Sequence, residues 1–168
     1  MTHPIPLAYF ITFTCYGTRL YGDEAGSVDR EHNIPGTPFL APNLRRVQAE
    51  QRQMRQEAYH LDSRRRTVVL CAIQKVCAHR GWTLLAAHVR TFHVHLVVAA
   101  EERSEKVLND VKAYASRVLN QTEVGSNSQR RWTRHGSTRY LWKAEEVGAA
   151  IHYVVREQGE PMAVWERQ

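Results

Sequence analysis

Cysteine is scarce in this chain, with three residues (Cys15, Cys71 and Cys77) in 168. Their odd number and the absence of any Cys-x-x-Cys spacing argue against a disulfide framework or a structural zinc cage, and lead to the expectation of a reducing, cytoplasmic setting. Long apolar runs are lacking too. The longest near the start, Pro6 to Cys15, is far too short to span a bilayer. It has neither the basic flank nor the small-residue cleavage site of a signal peptide, so no membrane partner is expected. Internal repeats and low-complexity tracts are absent. Acidic residues are the minority charge, 17 against 23 Lys and Arg, for a formal net charge of +6 and a pI near 9.5. That balance points weakly towards polyanions, nucleic acid first. A hydrophobic share of 43% with 24% charged residues excludes wholesale disorder. The length suits one domain over residues 1–168.

What is present reads as alternating strands and helices. Leu7 to Tyr16 is aromatic and β-branched and stops at Gly17, as a strand would. Residues 22–43 hold Gly26, Pro35, Gly36, Pro38 and Pro42 among polar residues and read as one long loop. Leu44 to Tyr59 is rich in helix formers but poor in apolar periodicity, which predicts an exposed helix. Asp62 or Ser63 can cap a helix through His79, with Val69, Ile73, Val76 and Cys77 as its apolar stripe and Gly81 at its end. Strands are expected over Trp82–Val89 and Thr91–Ala99. A helix capped by Ser104 follows, with Val107, Leu108, Val111, Ala115 and Val118 on its buried side. A polar linker over 121–129, a short strand at Arg139–Trp142 and a last helix from Ala144 to Gln158, closed by Gly159 and Pro161, complete the chain. This order indicates an α+β domain with a mostly antiparallel sheet.

Within Phe92-His93-Val94-His95-Leu96-Val97-Val98, strand alternation sends Phe92, Val94, Leu96 and Val98 to one face. His93 and His95 fall side by side on the other, within reach of one divalent cation. Zinc would need further ligands that the cysteine spacing does not supply. Mg²⁺ or Mn²⁺ with imidazole and oxygen ligands fits as well, given a nearby carboxylate or amide. On the last helix Val147, Ile151, Val154 and Val155 form the buried stripe, and Tyr153 points about 200° away from Ile151 at ~100° per residue. Glu157 falls one turn beyond Tyr153, so this phenol and carboxylate could meet one cation and complete a His-His-carboxylate set. A phenol is a poor nucleophile at neutral pH, but a metal that polarises the scissile phosphate offsets much of that deficit.

FHVHLVV resembles the HUH motif (His, hydrophobic, His) of single-tyrosine transposases, a group that includes the insertion-sequence two-hundred type and the REP-associated tyrosine transposases. Three further segments agree in order. AYFITFTCYGTRLYGDEAGSVDREHN resembles the first strand and loop of such proteins. VLNDVKAYASRVL resembles the helix after the HUH strand, with Lys112 at the usual lysine. IHYVVREQG resembles the terminal helix, with the nucleophile at Tyr153. The resemblance runs from about Ala8 to Gly159. It implies a ferredoxin-like, RRM-like HUH domain, with helices packed on one face of the sheet, that cuts and rejoins single-stranded or hairpin DNA. Tyr153 would form a 5′-phosphotyrosine and free a 3′-hydroxyl, while His93 and His95 hold Mg²⁺ or Mn²⁺. The family's third ligand is often a glutamine one turn after the tyrosine. Here Glu157 stands at that position, with Gln158 next, and helix geometry favours Glu157. Relatives act as monomers or as homodimers that exchange the tyrosine helix, and a hinge at Gly148 suits both.

Tyr114 is the rival nucleophile, although its spacing from Val111 suggests partial packing. Residues 124–144 carry Arg130, Arg131, Arg134, Arg139 and Lys143, interleaved with Trp132, Tyr140 and Trp142. Basic groups there can neutralise phosphates while aromatics stack on unpaired bases. The expected DNA contacts are therefore Lys112, Arg130, Arg131, Arg134, Arg139 and Trp142. Asp23, Asp29, His32 and His88 read more simply as polar loop or satisfied strand positions. A domesticated module that binds DNA hairpins without cutting them is the alternative function. A plasmid-type initiator nuclease would carry helicase or primase sequence that this chain lacks.

Overall fold

The computed structural model describes residues 4–18, 42–123 and 129–168. All but the last two residues of the expected loop at 22–43, including Asp23, Asp29 and His32, lie outside the described residues. In chain order the elements are β1 (Ala8–Thr14), α1 (Leu44–Gln53), α2 (Ser63–Arg80), β2 (Thr83–Val89), β3 (His93–Ala99), α3 (Ser104–Thr122), β4 (Ser137–Leu141), α4 (Ala144–Arg156) and β5 (Ala163–Glu166).

Local chemistry accounts for most boundaries. The Asp62 side chain accepts from the Arg65 N–H at 2.8 Å and caps α2. Gly81 takes the left-handed conformation (φ 73°) that closes it. Val69, Ala72, Ile73, Val76 and Cys77 form its buried stripe. On α3 the buried stripe is Val107, Leu108, Val111, Ala115 and Leu119. Ser104 is its first helical residue rather than its cap, with a buried hydroxyl 3.3 Å from that of Thr138. Helix α1 buries none of its residues and ends at Gln53, short of the expected Tyr59. Tyr59 and Leu61 are buried in an extended stretch instead, their N–H groups donating to Tyr16 O and Thr91 O at 2.8 Å.

All strand pairs are antiparallel, in the order β4-β1-β3-β2-β5. Since β1 and β2 both run against β3, they are parallel to each other with α2 as the crossover. By the same reasoning β3 and β4 are parallel across β1, with α3 between them. Two interleaved split β-α-β units make the ferredoxin-like arrangement that was expected. Alternation along the strands separates two cores. Tyr9, Ile11, Phe13, Val94, Leu96, Val98, Leu84, Ala87 and Val89 pack with α2 and α3. Ala8, Ala86, Val97 and Leu141 pack with Ala150 and Val154 of α4. The expectation of helices on one face therefore holds for α2 and α3 only; α4 covers the opposite face. Gly148 lies inside an unbroken α4.

Two further corrections concern the ends of strands. Phe92 precedes β3 in the turn and is 53% exposed, so it does not share the buried face of Val94, Leu96 and Val98. After Gly159 (φ 77°) and Pro161 the chain turns back and adds β5 to the free edge of β2, from Ala86↔Glu166 to Val89↔Ala163. A four-residue strand holds too few alternations to stand out in the sequence. Among the described residues no helix is long and apolar enough to cross a membrane.

Candidate active site

One register crosses the whole sheet as Ser137, Thr12, His95, His88 and Val164, on β4, β1, β3, β2 and β5 respectively. Cross-strand partners share a face, so this nearly polar row lies under α4. His93, paired with Thr14, sits one step beyond it, and the two imidazole centroids are 4.6 Å apart. The Thr12 hydroxyl lies 2.7 Å from Nδ1 of His95. A metal-binding imidazole needs its other ring nitrogen held by such a partner, with Nδ1 donating and Nε2 keeping its lone pair. Burial, and then the neighbouring His93, push the His95 pKa down to about 3, so its ring is neutral at physiological pH. Thr12 escapes a reading of the sequence because strand pairing, not local pattern, brings it to His95.

Tyr153 stands on α4 over this row, with its ring centroid 5.9 Å from His95 and 5.8 Å from Phe10, edge-on to both. It is 41% exposed. Glu157 is the C-cap of α4, its N–H still donating to Tyr153 O at 3.1 Å, one turn beyond the tyrosine as the spacing expects. Its carboxylate pairs with His152 Nδ1 at 2.8 Å in an exposed setting. The half-buried Gln158 side chain reaches back to α4, its Nε2 donating to the Tyr153 carbonyl at 3.2 Å, and lies near enough to His95 to influence that ring. No group of three His, Cys, Asp or Glu residues that could hold a metal exists among the described residues. The side chains that could hold a cation here are two imidazoles and an amide, a mixed nitrogen and oxygen set. The cysteines take no part: burial pushes the Cys15 and Cys77 thiols up to about 12, and Cys71 lies on the surface.

Neither a protein-family model nor a curated protein matches the sequence. Among solved structures the chain is similar to a REP-associated tyrosine transposase bound to a REP hairpin. The match has a TM-score of 0.51 at 11% identity, over 94% of this chain and 69% of that one. The chain has the fold of a REP-associated tyrosine transposase. At such identity the likeness is one of fold, and the residues speak for themselves.

Within this transposase-like fold, the rival Tyr114 packs against the α2–α3 core, beside His79 and under the Arg117 guanidinium. It is on the far side of the sheet from the histidine pair. Two of the expected DNA contacts are also consumed by the fold. Arg131 is 3% exposed; its guanidinium donates to Asn120 Oδ1 at 2.6 Å, pairs with Glu123 at 3.3 Å and lies over the Tyr59 ring. The Lys112 ammonium donates to the carbonyls of Thr133, at 2.8 Å, and His135, and rests against Phe13. Burial lowers its pKa to about 8. Arg130, Arg134, Arg139 and Trp142 remain exposed. Arg139 is the cross-strand partner of Phe10, on the Tyr153 side of the sheet. Trp142 lies against Tyr140, the ring centroids 6.1 Å apart and the planes tilted by 57°.

His88 is buried, with Nδ1 donating to Val154 O at 3.0 Å and Nε2 accepting the Met162 N–H at 3.0 Å. Desolvation, the largest influence, lowers its pKa and keeps the ring neutral. It is a satisfied strand position, as expected. Arg90 was not singled out by any motif; its Nη1 reaches Glu160 O at 2.9 Å.

Proposed function

We propose that this protein cuts and rejoins single-stranded DNA beside hairpins, with Tyr153 as the nucleophile. The observation that carries the reading is the convergence of Tyr153, His93, His95 and Gln158 on one face of the sheet, with Gln158 beside His95 and hydrogen-bonded to the Tyr153 backbone. The likeness in fold to a transposase bound to a REP hairpin supports hairpin DNA as the partner.

In the reaction proposed, the Tyr153 phenol oxygen attacks the phosphorus and the bond from phosphorus to O3′ breaks. The phenol proton is lost and the departing 3′ oxygen gains one. The product is a 5′-phosphotyrosine and a free 3′-hydroxyl, and attack by a 3′-hydroxyl on the phosphotyrosine rejoins the strand. A divalent cation, Mg²⁺ or Mn²⁺, held by His93, His95 and Gln158, would polarise the phosphate and offset the weak nucleophilicity of a phenol with a pKa near ~10. The chain's own contributions are positional. Burial keeps His95 neutral, Thr12 orients it, and Gln158 bonds the backbone of the nucleophile beside that ring. Exposed Arg130, Arg134 and Arg139 would meet phosphates, and Trp142 an unstacked base.

The test is covalent trapping. Purified protein with Mn²⁺ and oligonucleotides that carry an imperfect palindrome with single-stranded flanks should give a protein–DNA adduct. Tyr153→Phe should abolish the adduct while Tyr114→Phe retains it. The reverse pattern would move the chemistry to the other side of the sheet. Hairpin binding with no adduct under any divalent metal would instead identify a domesticated binding module.

A further inference from the structure

Between the end of α4 and the start of β5 the chain must carry Gln158 to His95 and then reverse direction. Local bonds back to α4 hold Glu157 and Gln158, to His152 and to Tyr153 O, but they end there, and the turn then runs through the left-handed Gly159. The restraint comes from the far end of β2. Before Gln158, His88 Nδ1 donates to Val154 O at 3.0 Å. After it, Arg90 Nη1 donates to Glu160 O at 2.9 Å and the Met162 N–H donates to His88 Nε2 at 3.0 Å. His88 is also the cross-strand neighbour of His95. One pair of strands therefore carries both the metal-facing ring and the grip on the segment that must reach it.

We infer that His88 and Arg90 are positioning residues, a two-point clamp that sets Tyr153 and Gln158 against the histidine pair. Both nitrogens of the His88 ring are committed, one as donor and one as acceptor, so the ring brackets the Gln158 turn from both sides. Arg90 closes the bracket on the solvent side. The inference rests on the reading of Gln158 as a metal donor and Tyr153 as the nucleophile.

Two measurements test it, and Arg90→Met serves because Arg90 is only partly buried. First, hydrogen exchange of the metal-free protein should rise at 159–162 in Arg90→Met and stay near wild type in Arg90→Lys. His88→Phe, which keeps volume but loses both bonds, should extend the effect to the end of α4. Second, Mn²⁺ binding followed by electron paramagnetic resonance should weaken about tenfold in Arg90→Met, the lower end of what loss of an outer-shell partner does. Gln158→Ala and the Arg90→Met/Gln158→Ala double variant should bind equally weakly, because the clamp acts through Gln158. Unchanged exchange at 159–162 in Arg90→Met overturns the clamp. So does wild-type Mn²⁺ affinity in Arg90→Met when Gln158→Ala has lost it. A wild-type protein that neither binds Mn²⁺ nor forms an adduct overturns the reading of the site instead, and the exchange measurement still decides the clamp.

Discussion

Lys112 offers the sharpest separation between a basic residue that builds the fold and one that touches DNA. Its ammonium donates to the carbonyls of Thr133 and His135. His135 itself takes a left-handed backbone conformation (φ 66°), which costs a residue with a side chain about 1–2 kcal/mol. The next residue, Gly136, passes so close to β1 that a Cβ there would lie 2.8 Å from Thr12 O. Lys112 thus fixes a strained turn directly beside the row that includes Thr12 and His95. Lys112→Met keeps most of the aliphatic stem against Phe13 and removes only the donor. The His135 carbonyl is in an exposed setting and can rehydrate, whereas the partly buried bond to Thr133 leaves a shielded acceptor worth about 1–3 kcal/mol. For a chain of this size that corresponds to a fall in Tm of roughly 3–10 °C. Thermal denaturation should show it. Hairpin binding over a range of salt concentrations should keep the wild-type slope, because no phosphate contact is lost. An unchanged Tm with a slope reduced by about 0.7–0.9, the value of one neutralised phosphate, would refute the structural role.

Two further outcomes follow from the polar row. Thr12→Val removes the partner of His95 Nδ1 with little change in shape; Mn²⁺ affinity should fall about tenfold with hairpin affinity unchanged, measured by titration of each. Stability of the metal-free protein should fall with acidification, since His88 and His95 both have folded pKa values below that of an unfolded histidine. The unfolded chain then binds more protons below about pH 6.5, and stability is lost as pH falls from there, by at most ~1.4 kcal/mol per pH unit for each ring and, for His95, down to about 3. Urea denaturation at pH 7, 6 and 5 should show that decline, and a flat profile would contradict the buried neutral rings.

Periodicity carried the frame of the fold. The stripes on α2 and α3, the Asp62 cap and the Gly81 stop are local signals, and the alternation in β3 placed the two histidines together on one face. What local signals could not carry was the choice of side-chain partner or anything set by distant pairing. The i, i+4 rule places Glu157 one turn past Tyr153, and its N–H does bond Tyr153 O, but the rule cannot say that the carboxylate pairs with His152. Arg131 belongs to a run of exposed-looking arginines, yet Glu123, Asn120 and Tyr59 gather round it from other segments. A count of charge cannot separate it from Arg130 beside it. β5 and the clamp share one origin, since both depend on the chain folding back after Pro161 onto a strand more than seventy residues earlier.

The two faces of the sheet differ in what holds their helices, and that difference bears on the site. Helices α2 and α3 bury stripes of Val, Ile and Leu against aromatic and branched residues. Helix α4 fully buries only Ala150 and Val154, against a patch whose buried members include two alanines, Ala8 and Ala86. Burial of so little apolar area contributes correspondingly little at about 25 cal/mol per Å². The cause is the row of Thr12, His95 and His88, which occupies the ground where larger apolar side chains would otherwise anchor the helix. Hydrogen bonds must then supply a larger share of the docking: His88 to Val154 and Met162, Arg90 to Glu160, and Gln158 to Tyr153. A sheet face tuned only for stability would not trade branched apolar residues for neutral imidazoles, and proteins make such departures mainly where chemistry requires them. The same trade makes the helix carrying Tyr153 dependent on a few directional contacts, each of which ends on or beside the histidine row.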